Sequence, residues 1–389
     1  MKLQEAAKNP TKPHFNHYLF ETLCLSIKIV CTSQPSAVAN FETVLFPIFQ
    51  LILTEDVQEF VPYVFQVLSL LLEVHNPGNV PQPYMELFQF LLNPVLWERT
   101  GNIRPLVRLI QAYIRVGAAQ VIALGKVGAL LGVFQKLIAS KSNDHEGFFL
   151  VQSMIEFMPK EAIGGYIKGI FSLLFTRLTS SKTTKFIKNF LVFIFLYTCH
   201  YGGDSLQDLC DSIQPNLFGM VIQRLVILEV QKVSGVNEKK ICAVGMTKWL
   251  CESSCFLTGA YSQYWPQVLQ ALVGFFELPQ DDSIPDDEHF IEIGNTSLII
   301  FLLVYLKTKT WSFLEETPGY QTAYSHLIFA GKRDHDPLPS IPDPKQNLAV
   351  SLSKLSTGRP GMIRPMVNQT EAKVQEFLTN YLQRANVNI

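Results

Sequence analysis

The sequence predicts an all-α fold, an α-α superhelix built as a solenoid of stacked helix pairs. Three observations carry this. Apolar residues recur by threes and fours along almost the whole chain, which places them on one face of a helix. Breaks rich in proline and glycine separate the stripes. The spacing from one helix pair to the next is about 40 residues, the period of HEAT or armadillo repeats. No long alternating strand pattern is present.

Taken in order, Phe15, Tyr18, Leu19, Leu23, Ile27 and Val30 form the first stripe. Phe41, Val44, Leu45, Ile48, Phe49 and Ile52 form the second, and Phe60, Val61, Val64, Phe65, Leu68 and Leu72 the third. Ile103, Leu106, Val107, Ile110, Tyr113 and Ile114 continue the series, followed by Val127, Leu130, Leu131, Phe134, Leu137 and Ile138. Between them fall Gln34-Pro35, Asn76-Pro77-Gly78, Thr100-Gly101-Asn102, Met158-Pro159, Gly202-Gly203, Gln214-Pro215 and Ser234-Gly235, residues that end one helix and start the next. Phe190 to Tyr197 (FLVFIFLY) is apolar all round. In a repeat array this is a helix covered by neighbours on both sides. Ser181 or Thr183 supplies its N-cap. Gly125, Gly128 and Gly132, spaced by three and four, are expected to permit close helix packing rather than to cradle a phosphate.

Composition agrees with such an array. The chain has 389 residues, is 48% hydrophobic with a mean hydropathy of +0.18, and only 17% of it is charged. Wide apolar stripes of this kind are tolerated where each helix pair is covered by its neighbours. Lys+Arg 32 against Asp+Glu 33 leaves a formal net charge of -1, so no global field favours nucleic acid or an anionic membrane. The seven scattered cysteines read as reduced, mostly buried thiols of an intracellular protein. The first residues, MKLQEAAKNPTKPHFNH, contain no apolar signal core.

Catalytic constellations are missing from the sequence. It has no G-x-x-x-x-G-K-[ST], no G-x-G-x-x-G and no G-x-S-x-G. His145-Glu146 opens like a zinc-protease H-E-x-x-H, but Phe149 occupies the second histidine position and leaves too few ligands. Cys251 and Cys255 are four apart without C-x-x-C partners, a poor basis for zinc. The expectation is a binding protein with no enzymatic activity, no cofactor and no metal.

Two charge clusters are candidate partner-binding sites. Asp281, Asp282, Asp286, Asp287 and Glu288 crowd a loop held by Pro279 and Pro285, where a basic partner would relieve their repulsion. Lys182, Lys185 and Lys188 follow Arg177 on SSKTTKFIKN. Past the acidic loop, Leu298 to Leu306 (LIIFLLVYL) is pure hydrocarbon. It is too short to span a bilayer, which takes about 20 apolar residues, and Lys307 and Lys309 interrupt its only extension. No membrane insertion is expected from it.

Several strings are specific enough to place the chain. NPTKPHFNHYLFE, TEDVQEFVPYVFQVLSLLLE, NPVLWERTGNI, LLGVFQKLIASKSNDHEGF, SKTTKFIKNFLVF, VSGVNEKKICAVGMTK, FELPQDDSIPDDEHFIEI and TPGYQTAYSHLIFAGKRDHDP resemble the CAS family, the importin-α re-exporters of the importin-β (karyopherin-β) superfamily. The resemblance runs from Leu3 to Ile389, apart from the stretch around the apolar run. It implies a HEAT-repeat superhelical solenoid that carries importin-α out of the nucleus together with RanGTP and releases it in the cytoplasm. Ran would be the GTPase, and the receptor would be found in both compartments. It further implies that the chain is a C-terminal part, with a partial binding surface and an N-terminal end, over residues 1 to 34, that lacks its preceding repeat. A protein-interaction scaffold without Ran-dependent transport is the competing reading. In the family pattern the acidic loop joins TPGYQT directly, so residues 294–314 read as an insert. The expected organisation is helix pairs over 1–278, the acidic loop with its insert over 279–316, and closing helices over 317–389.

Overall fold

The computed structural model describes residues 2–8, 10–180, 183–277, 326–331 and 335–389, and the described residues are helices joined by short turns. The chain divides into two compact units. One comprises Met1–Ala162 and Ile293–Asp334; the other comprises Ile163–Glu292 and His335–Ile389.

In the first unit the helices are α1 (Lys2–Lys8), α2 (Pro13–Ser33), α3 (Val38–Thr54), α4 (Val61–Leu72), α5 (Gln82–Leu91), α6 (Thr100–Ala123), α7 (Val127–Ala139) and α8 (Asp144–Phe157). Alternate helices stack side by side: α2 on α4, α4 on α6, α6 on α8. This is the order that a helical repeat imposes, because each pair buries its apolar face only against the next. Helix α4 shows the consequence. It lies between two neighbours of the file, and eleven of its twelve residues are buried. Phe60, Val61, Val64, Phe65, Leu68 and Leu72 are all buried, as are all six residues of the stripe from Ile103 to Ile114.

The second unit contains most of α9 (Lys160–Ser180), α10 (Thr184–Tyr201), α11 (Gly203–Ile213), α12 (Leu217–Val221), a π-helical turn at Ile222–Val226, and α13 (Ile227–Glu229). The helices α14 (Val236–Glu252), α15 (Ser254–Leu257) and α16 (Trp265–Glu277) follow. Ahead of the closing helices, the four-residue α17 (Ile328–Gly331) belongs to the first unit, and α18 (Pro344–Gly358), α19 (Ile363–Val367) and α20 (Ala372–Arg384) belong to the second. The same stacking recurs, α10 on α14, α14 on α18, α18 on α20. Every residue from Phe190 to Tyr197 is buried, as a doubly covered helix requires. Trp249 of α14 stacks near Phe195 and donates its indole N–H to Thr198 Oγ1 at 3.0 Å. Thr183 is the N-cap of α10, accepting from the Phe186 N–H at 3.2 Å.

Two expectations are corrected. The core face of α2 is Phe20, Cys24, Ile27 and Cys31, while Phe15, Tyr18 and Val30 are 50%, 57% and 40% exposed. Apolar residues lie all round this helix, so two stripes fit the same spacing, and only the position of α4 selects one. Gly128 and Gly132 do not serve close packing, since a Cβ at either would meet nothing within 4 Å. Close approach occurs at Gly245 instead, where a Cβ would lie 2.7 Å from Phe195 Cβ. The break at Thr100-Gly101 starts a helix as expected: Thr100 opens α6, after the 3-10 segment Pro94–Trp97, where Asn93 Oδ1 accepts from the Val95 N–H.

By length and composition alone, Pro35–Thr54 and Thr100–Ala123 are apolar enough to cross a membrane. In this fold the second is spent largely on protein contacts, against α4 and α8. The run Leu298 to Leu306 lies outside the described residues, as does the whole stretch 294–314.

Candidate binding surface

Asp281, Asp282, Asp286, Asp287, Glu288 and Lys182 lie outside the described residues. The two remaining lysines of the basic cluster sit on α10, three residues apart. Lys185 is buried, 8% exposed, which withdraws it from solvent. Lys188 is half-buried, and burial together with Lys232 lowers its ammonium below the usual lysine range. Arg177 at the end of α9 is buried too, its guanidinium 5.1 Å from the centre of the Phe186 ring. The described part of this cluster is therefore mainly a buttress for the α9–α10 corner. Charge counting along the sequence cannot see this, because the apolar stems of lysine and arginine are covered when the neighbouring helix is aromatic.

Sequence reading also missed a set of polar residues inside the first unit. Glu21 on α2, Gln66 on α4 and Arg108 on α6 occupy successive members of the stacked file, and all three are buried. Their partners include main-chain groups of Leu327 and of α17. The Leu327 N–H donates to Gln66 Oε1 at 2.8 Å, and the Ile328 N–H to Glu21 Oε1 at 2.5 Å. Glu21 Oε2 lies 3.5 Å from the Phe329 N–H, and Arg108 Nε donates to the Ala330 carbonyl at 3.3 Å. The remaining guanidinium nitrogens of Arg108 form a fork on Glu73 at 2.6 and 2.7 Å. The only sequence signal was a negative one: a glutamate, a glutamine and an arginine interrupting apolar helix faces.

Elsewhere the polar groups tie the array together. Asp204 at the start of α11 accepts from the Ser254 and Cys255 N–H groups, both at 2.9 Å. Lys240 of α14 pairs with Asp336, and Asn237 donates to the His335 carbonyl, fixing the chain that leads into α18. Among the described residues no three His, Cys, Asp or Glu side chains converge as a metal site. All seven cysteines are unpaired thiols, and burial raises every one of them, Cys199 to about 12. None is poised as a nucleophile.

A stack of helices of this kind is also what comparison with known proteins finds. The family described as CAS/CSE protein, C-terminus, matches residues 1–381. Exportin-2 of Pagrus major and of Danio rerio are each 56% identical over 392 aligned positions, covering 100% of this chain and 38% of the relative. Exportin-2 of Homo sapiens is 54% identical with the same coverage. The chain thus spans well under half the length of these relatives. Among solved structures, the exportin Cse1 in its cargo-free, cytoplasmic state superposes with a TM-score of 0.79 at 24% identity, covering 98% of this chain and 37% of that one, a likeness of fold. The helix file of each unit and the match along nearly the whole sequence lead to one conclusion: the chain belongs to the CAS/CSE family and has the all-α HEAT-repeat solenoid fold.

Proposed function

We propose that the chain forms the C-terminal part of the binding surface of a nuclear export receptor for importin-α. It binds importin-α cooperatively with RanGTP in the nucleus and releases it in the cytoplasm. The observation that carries this is the identity of 54–56% to Exportin-2 across the entire chain. The role is that of a non-catalytic scaffold: the helices present surface, and Ran does the GTP hydrolysis. Shuttling between nucleus and cytoplasm follows from that role, and membrane insertion has no place in it. Because the chain spans 38% of its relatives, it offers part of a clamp. Losing simultaneous engagement costs a clamp about 10² to 10⁴ in avidity, so binding by this chain alone is weak.

Within the proposal the acidic residues Asp281, Asp282, Asp286, Asp287 and Glu288 face a basic partner surface. Replacing all five by neutral amides is expected to weaken binding and flatten its salt dependence. The direct test is retention of importin-α on the immobilised chain, with and without Ran carrying a non-hydrolysable GTP analogue. Retention that rises with loaded Ran supports export. Retention indifferent to Ran overturns it in favour of a plain interaction scaffold.

A further inference from the structure

We draw no further inference here: the strongest candidate, the exposed apolar face of α2 formed by Phe15, Tyr18, Leu25 and Ile29 in the first unit, carries nothing because nothing in the structure shows what covers it.

Discussion

Arg108 is 7% exposed and its guanidinium is fully engaged, by Glu73 through the fork and by the Ala330 carbonyl through Nε. Replacing it with leucine removes the fork from the mostly buried Glu73, beside which Arg115 stands at 3.7 Å. Removing one partner of a buried pair costs about 3–5 kcal/mol, so Arg108→Leu should lower the thermal midpoint sharply; a loss within error would show the pair is not a stabilising one. Asp204 gives a pH test. Burial pushes its carboxyl up, but the N–H groups of Cys255 and Ser254 outweigh that and hold it below the usual aspartate range. A depressed carboxyl contributes stability that is complete above the unfolded pKa of about 3.9 and is lost as pH falls through the lower folded value. Asp204→Asn should therefore destabilise the chain at pH 7, and the difference should close below about pH 4 in paired urea titrations. At the thiols, burial above the ordinary range predicts that alkylation at pH 8 is at least about tenfold slower in the native chain than in denaturant. Little of this was legible from residue types alone: the cysteines were read as buried because they are scattered, but Lys185 and Arg177 read as surface charge and are interior.

Helix α10 fits between its neighbours only because α14 offers Gly245 opposite Phe195. Gly245→Ala places a Cβ 2.7 Å from Phe195 Cβ and from Cδ1 of its ring. Overpacking of this kind costs about 1–3 kcal/mol, outweighing the gain of up to about 1 kcal/mol in helix propensity; an unchanged or raised midpoint would show that the α10–α14 contact is softer than it looks. Helix α2 makes the opposite case. Phe15, Tyr18, Leu25 and Ile29 repeat by heptad-like spacing on a face that no described element covers, and Val44 of α3 is 65% exposed. Substituting Tyr18 and Ile29 by lysine should leave the chain's unfolding midpoint within about 0.5 kcal/mol per site while raising its solubility, read as the concentration at which light scattering appears. The periodicity located these helices correctly from Phe60 to Ile138. It misassigned α2 because a helix that is apolar all round has no preferred face until a neighbour chooses one.

For the whole molecule, the stacked file of helices in each unit is what a repeat architecture needs, and the strings recognisable in the sequence run through both units. Residues 294–314, read from the sequence as an insert in that pattern, are expected to be dispensable. A loop's closure entropy changes only slowly with its length, so deleting them should leave the far-ultraviolet helical signal per residue and importin-α retention unchanged. A deletion that unfolds the chain, or one that becomes soluble where the parent requires detergent, would make this stretch a working element.

The sequence by itself determined the class of the fold, the position of most helices, and the family. All of these are local or one-dimensional: a helix period, a turn residue and a string of residues can be read without knowing what lies opposite. Only the tertiary structure decided which face of α2 is core, which glycine is crowded, which lysines are buried, and that Glu21, Gln66 and Arg108 meet a segment more than 200 positions further along the chain. The physical reason is the same for each. Burial and hydrogen-bond partnership are properties of pairs of elements, and the pairing of α2, α4 and α6 with residues 327–330 exists only once the helices are stacked.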